Sequence, residues 1–228
     1  MTMLSPSRTL AEQTYETLKG DLLAGSFAPG AALLTRELLA RYGCGISPLR
    51  EAIARLVGEG MLLASGHRGV RIPVPTVGDL DELYRIRTLL ECEALKLAIE
   101  QGDDHWESQI VAACYRLERA PLPKPRGERG STVIEWEVRH RDFHTALIAA
   151  APAPRLLKMI DQLVDQTERY RAIRLVQVDT ARLTRDVAAE HRALADATAA
   201  RDTRAVELLA AHLERTRKFV AQMLKTAG

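Results

Sequence analysis

Long apolar runs are missing from this chain of 228 residues. No stretch approaches the roughly 20 apolar residues that a membrane-spanning helix needs. The opening MTMLSPSRTL has no apolar core of the kind a secretory leader carries, so export is not expected. Cysteine is scarce: Cys44, Cys92 and Cys114 are odd in number and fall at no metal-ligand spacing, which points to packed thiols in a reducing compartment. A nucleophile elbow, a Gly-rich phosphate loop and an H-E-x-x-H pair are all absent, which removes the commonest sequence grounds for an enzyme. Neither sign of charge is in excess. With 32 Lys and Arg against 30 Asp and Glu the net charge is +2, so any nucleic-acid contact must be local. These absences leave a soluble cytoplasmic protein of one or two domains as the expectation.

What is present is concentrated first in residues 33–71. Leu38 and Leu39 belong to one short helix, and Leu49, Ile53, Leu56 and Val57 give a second its apolar stripe. Tyr42-Gly43-Cys44-Gly45 breaks between them, with glycines where a turn needs positive φ. Ser47 is expected as the N-cap and Pro48 as the first helical residue, since a proline lacks only an N–H that is unsatisfied there anyway. Arg50 then falls third, where a capping box would have an acid and where a cation opposes the helix dipole. A hairpin with a basic tip follows, with His67 and Arg68 between Gly66 and Gly69. Between Arg36 and Arg71 there are six Arg against three Glu, a local +3. The pattern reads as a winged helix-turn-helix. In that motif the start of the second helix reaches base edges, and Arg matches guanine bidentately.

Pro73-Val-Pro75 marks an extended linker. Beyond it strand-like alternation disappears and no internal repeat is visible. Helices are expected over 77–101, 103–119, 131–150, 152–176, 179–200 and 202–226. They are separated by the Pro/Gly-rich, basic segment 121–130, by Pro152 and Pro154, by Val178-Asp179 and by Arg201-Asp202-Thr203. The first is capped by Thr76 or Asp79 and presents Leu80, Leu83, Ile86, Leu90 and Leu97. The fold class is therefore mainly α: a winged helix-turn-helix with a small β-hairpin wing over 1–75, and an antiparallel all-helical bundle over 76–228.

The histidines are unevenly spread. His67 and His105 stand apart, whereas His140 and His144 share a helix face at i, i+4, and His191 and His212 lie on the last two helices. Facing helices of a bundle can bring such imidazoles together on a metal. On the first bundle helix Arg87 precedes Glu91 by four residues. The pair reads either as a surface ion pair or as a guanidinium fork for a ligand carboxylate.

The segments TRELLARYG, ISPLREAIARLVGEGML and GHRGVRI, with LKGDLLAGSFAPGAAL before them, resemble the DNA-binding domain of GntR-family transcriptional regulators over about the first 72 residues. The resemblance implies operator contacts from Arg36 and Arg50, a phosphate contact from Ser47, and a wing that brings His67 or Gly69 near the minor groove. Many members carry Arg directly before the small residue preceding Pro, and this chain has Ile46 there. Over residues 76–222, RTLLECEALKLA, HRDFHTALI, EHRALADATAARD and AHLERT resemble the effector-binding FCD domain of the FadR subgroup. Metal-binding members hold a divalent cation with one carboxylate and three histidines. Carried over, the histidines are His144, His191 and His212, and His140 occupies the carboxylate position. An all-imidazole set favours Zn or Ni over Mn or Mg. The resemblance further implies a homodimer on double-stranded DNA and a small carboxylate effector clamped by Arg87; Tyr170, in QTERYRAIR, is a candidate for the cavity wall. ISPLREA and QTERYRAIR are similar to the CsiR-like branch, whose members sense small dicarboxylates.

Two other readings compete. A metal-dependent hydrolase or lyase with an accessory DNA-binding head would need a general base, and Glu190 beside His191 is the candidate. Adjacent helical residues point about 100° apart, so Glu190 is poorly aimed at the same centre. An architectural DNA-binding protein without effector leaves the inward-facing histidines unexplained. The favoured expectation is a ligand-responsive repressor, not an enzyme.

Overall fold

The computed structural model describes residues 8–66, 69–121, 131–177 and 186–227. It divides into two compact units, Met1–Pro75 and Thr76–Gly228. In the first unit, α1 (Leu10–Leu23) is followed by β1 (Ala32–Leu34), α2 (Thr35–Tyr42), α3 (Ile46–Gly58), β2 (Leu63–Ala64) and β3 (Gly69–Arg71). Thr9 and Glu12 form a reciprocal capping box at the start of α1, which satisfies backbone donors that the helix itself cannot. Gly43 ends α2 at φ 59, a left-handed conformation that suits glycine. The three strands are antiparallel in the order β1-β3-β2, with Leu33 and Ala64 both opposite Val70.

Burial explains the register. Leu18, Leu49, Leu56 and Met61 are fully enclosed, and Tyr15, Leu22, Leu33, Leu38, Leu62 and Val70 complete the core. Removing a leucine such as Leu56 by substitution with Ala costs about 2–5 kcal/mol in cores of this kind. Polar links pin α1 to the helix pair: Tyr15 donates to Glu59 at 2.8 Å, and Arg41 and Tyr42 both donate to Asp21. Burial, reinforced by Asp21, raises the pKa of the Tyr42 phenol, so it remains a donor.

The start of α3 differs from the sequence expectation by two positions. Gly45 is the N-cap and makes no side-chain hydrogen bond, so Ile46 opens the helix and Ser47 is its second residue. Pro48 is tolerated because the first four helical N–H groups lack intrahelical partners. Arg50 is thus the fifth helical residue, beyond the turn where the dipole acts most strongly. Arg50 therefore does not oppose the dipole at the first turn as the sequence suggested, and what marks it is its exposure.

The second unit contains α4 (Val77–Gln101), α5 (Asp104–Glu118), α6 (Ser131–Ile148), α7 (Pro154–Gln177), α8 (Val187–Ala199) and α9 (Arg204–Ala227). Thr76, Asp103 and Asp186 cap α4, α5 and α8 through side-chain oxygens. Helix α4 packs on α9, α7 and α6, while α5 packs on α6 and α8. The close approach of α5 to the end of α4 requires Gly102, since a Cβ there would lie 1.9 Å from the Trp106 ring. Trp106 in turn donates from its indole nitrogen to the Ala146 carbonyl of α6. Segment 121–130 and the Val178-Asp179 break fall almost wholly or wholly outside the described residues, so α8 is described only from Val187.

Candidate functional site

Two sets of residues carry chemistry. The first is the outer surface of the helix-turn-helix. Arg36 is the second residue of α2 and 83 % exposed, with only a distant Glu37 carboxylate at 3.9 Å. Ser47 and Arg50 are exposed on α3, and Arg50 forms no ion pair with the described residues. An exposed guanidinium without a carboxylate is free to meet a phosphate or a base edge. His67 lies outside the described residues. Gly69 has a structural reason for being glycine: a Cβ would sit 2.3 Å from the Leu33 carbonyl oxygen, so it is the pairing of β3 with β1 that excludes a side chain.

The second set lies inside the bundle. His140 and His144 project from α6, His191 from α8 and His212 from α9, and none is more than 9 % exposed. One nitrogen from each falls within 4.8 Å of all the others. Phe143 packs edge-on against His144 and tilted against His191, and Trp136 stacks on His140 at 4.7 Å. Aromatic packing therefore limits rotation of the imidazoles. The carboxylate of Glu190 accepts from or shares a proton with His212 Nδ1 at 2.9 Å and also pairs with Arg215 at 3.0 Å. That hydrogen bond engages Nδ1 of His212 and fixes the orientation of its ring. Asp142 is exposed and takes no part.

The donor set fits a metal ion. Four imidazoles from three helices converge, and one is oriented by a carboxylate in the way that ligating histidines usually are. Tetrahedral coordination with bonds of about 2.1 Å puts ligand nitrogens about 3.4 Å apart, so closure on an ion needs movements of about an ångström. The sequence offers Glu190 only as a catalytic base. Its carboxylate is instead committed to His212 and Arg215, and the one signal for it in the sequence was its place beside His191.

A cavity of about 90 Å³ adjoins the cluster, lined by Glu91 of α4, Arg141, His144 and Thr145 of α6, and Ile160 and Asp161 of α7 among others. Arg87 and Tyr170, expected to hold an effector, do not line it. Arg87 is buried, with Nε donating to Glu91 at 2.7 Å and Nη1 to Thr167 at 2.8 Å. It is therefore neither an exposed ion pair nor an open fork. Tyr170 is buried and its hydroxyl donates to Asp79. The cation that faces the cavity is Arg141, which the sequence reading passed over. It spans to Asp161, Asp165 and Glu168 of α7. Burial works against its charge, yet Glu168 and Asp165 outweigh that effect and raise its pKa.

An exposed, cationic helix-turn-helix in the same chain as a separate all-helical unit defines the class of two-domain DNA-binding regulators. Comparison with known proteins agrees. Residues 10–72 match the family of bacterial regulatory proteins of the gntR type, and residues 82–215 match the FCD domain. An uncharacterised HTH-type regulator, BphR of Paraburkholderia xenovorans, is 35 % identical over 94 % of this chain and 86 % of its own length. The HTH-type transcriptional repressor GlaR of Escherichia coli is 34 % identical over 87 % of this chain and 90 % of its own. The solved structure of E. coli McbR/YncC superimposes with a TM-score of 0.79 at 27 % identity, covering 96 % of this chain and 100 % of that one. The chain belongs to the GntR family, FCD-domain group, and is a DNA-binding transcriptional regulator. Its family and relatives are regulators, not enzymes. No described helix is long and apolar enough to cross a membrane.

Proposed function

We propose that the chain is a cytoplasmic, homodimeric repressor released from its operator by a small carboxylate that binds beside a metal in the helical unit. The observation that carries this reading is the convergence of His140, His144, His191 and His212 next to a cavity. Residues 1–75 are assigned to DNA binding and 76–228 to sensing and dimerisation. In the head, Arg36 and Ser47 take backbone contacts, Arg50 takes a base edge, and the wing around His67 and Gly69 lies along the minor groove. A dimer would place two α3 helices in successive major grooves of a pseudo-palindrome. The repressor sign draws on GlaR, which is named as one.

The four imidazoles would hold the ion, and the absence of an anionic ligand among them favours Zn or Ni. Bound there, the ion supplies a positive centre for an effector carboxylate. The chain's own residues do the rest. Glu190 orients His212. Arg87 fixes Glu91 in the cavity wall, and the Tyr170–Asp79 bond braces α7 on α4. Arg141 can pair with the effector or with the α7 carboxylates, so the helical unit has two alternative ion-pair arrangements. A cavity of about 90 Å³ is small beside the roughly 300–1,000 Å³ of drug-sized ligand pockets, which suits a small acid.

Coupling is reciprocal, so an acid that weakens DNA binding must itself bind less well to the DNA complex. The test is fluorescence anisotropy on duplexes selected by the protein, with Zn-loaded chain and a series of two- to six-carbon mono- and dicarboxylates. At least one acid should lower DNA affinity tenfold or more. An acid that tightened binding would reverse the repressor assignment, and indifference to the whole series would remove the carboxylate assignment.

A further inference from the structure

The outward face of α3 carries a side chain that cationic contacts do not account for. Ile46, Arg50 and Ala54 follow one another at intervals of four residues, with Ser47 and Glu51 alongside, and all five are exposed. The opposite face, Leu49, Ala52 and Leu56, is sealed in the core. Ile46 is 50 % exposed at the leading end of the helix. The first turn is also poor by helix standards, with Gly45 as a cap that offers no side-chain acceptor and no acid among the first residues. A Ser, Asp or Asn there would stabilise the helix. An exposed isoleucine does nothing for it.

A single exposed apolar side chain is ordinary on a protein surface. The placement of this one gives it meaning. It stands one turn ahead of Arg50, and the leading residues of a recognition helix are those that reach base edges. Isoleucine has no donor, so it cannot hold a phosphate. Its neighbours on the exposed face are Ser47, Arg50 and Glu51, so it does not belong to the contiguous apolar patch that a protein partner's interface core requires. The one apolar feature displayed in the major groove is the C5 methyl of thymine. Ala54, one turn beyond Arg50, projects only a methyl and leaves the helix free to lie close.

We propose that Ile46 reads a thymine methyl in the major groove and thereby fixes one T·A pair in each half-site, close to the pair contacted by Arg50. Four helical residues advance about 6 Å, so the two positions are about two base pairs apart. The proposal rests on α3 being the recognition helix.

The test begins with selection from a randomised duplex library by the full-length wild-type chain and by its Ile46→Ala and Arg50→Ala variants. Affinities are then measured at one salt concentration on the wild-type duplex and on the same duplex with the selected thymine replaced by deoxyuridine. Deoxyuridine removes the methyl and nothing else. The wild type should lose about fourfold in affinity per half-site, the worth of one buried methyl. Ile46→Ala should bind the two duplexes within a factor of 1.5, on the order of measurement error, with wild-type helicity by circular dichroism. Retention of methyl sensitivity by Ile46→Ala, or indifference of the wild type at every thymine, would overturn the proposal. If Arg50→Ala selects the same sequence as wild type, or the wild type selects none, the reading of α3 itself fails. A change confined to Arg50→Ala refutes only the role of Ile46.

Discussion

Among the buried residues described, tyrosine, tryptophan and cysteine aside, the DNA-binding unit has one that is polar or charged, Thr14, whereas the helical unit has ten, among them Arg87, Glu91, Asp165 and the four clustered histidines. The head keeps an apolar interior and places its cations on the surface, where a polyanion can reach them. The bundle accepts the cost of burying charge, and each buried charge there has a partner or a converging neighbour. A surface reader needs a stiff core behind it and nothing more from that core. A sensor of small ions or acids needs a desolvated interior, where electrostatic interactions are stronger and a small ligand can reorganise them. Substitutions in the two regions should therefore fail in different ways.

The largest effect is expected from Arg87→Ala, which leaves Glu91 buried without its cation. Chemical denaturation should show a loss of about 3–5 kcal/mol, and Arg87→Met/Glu91→Leu should recover most of it. A surface-like loss of a few tenths would mean that the pair is solvated. In the head, Arg50→Ala should behave in the opposite way. Specific DNA affinity should drop about 5- to 150-fold while the denaturation midpoint stays at the wild-type value. Destabilisation in that variant would remove Arg50 from the DNA face.

Glu190→Gln sharpens the comparison inside the bundle. It keeps the shape of the side chain but weakens the bond to His212, so affinity for added Zn should fall about 10- to 100-fold in competition with a chelating dye. Unchanged affinity would show that Glu190 serves only Arg215. The smallest effect concerns thiols. Burial, with help from Glu91, pushes Cys92 up to about 11, and burial with Glu118 and Asp196 does the same for Cys114. A raised thiol pKa keeps the unreactive protonated form at higher pH. Alkylation of both residues by iodoacetamide should be slow at pH 8 and climb steadily between pH 9 and 11. A rate that levelled off near pH 9 would contradict the burial.

The parts of this architecture that were legible in the sequence are those specified by local pattern. The Leu49–Leu56 stripe, the Gly43–Gly45 break and the Pro73–Pro75 linker are all visible within a few residues. The start of α3 was misplaced because Ser47 is a better cap chemically than Gly45, yet the turn geometry puts Gly45 at the boundary. Strand β1 was not read at all. It has three residues and exists only through its pairing with β3, nearly forty residues on. The same limit applies to the site. The i, i+4 spacing of His140 and His144 is local, whereas their convergence with His191 and His212 is a product of packing. Arg87 and Glu91 showed their spacing but not their burial, because the inward face of α4 runs through Leu83, Tyr84, Arg87, Glu91 and Ala94. The i, i+4, i+7 spacing of Asp161, Asp165 and Glu168 puts them on one acidic face of α7, which the sequence reading did not single out. Nothing local marked Arg141 as its partner.

The central claim is that the buried imidazoles of the helical unit hold a metal. It is tested most directly by elemental mass spectrometry of the untagged protein, purified without chelators, beside a His144→Ala/His191→Ala variant. The account predicts about one equivalent of a divalent transition metal per chain, lost in the variant while its helicity and DNA binding remain. A wild-type protein that carries no metal, and retains none after dialysis against Zn and washing, would contradict it.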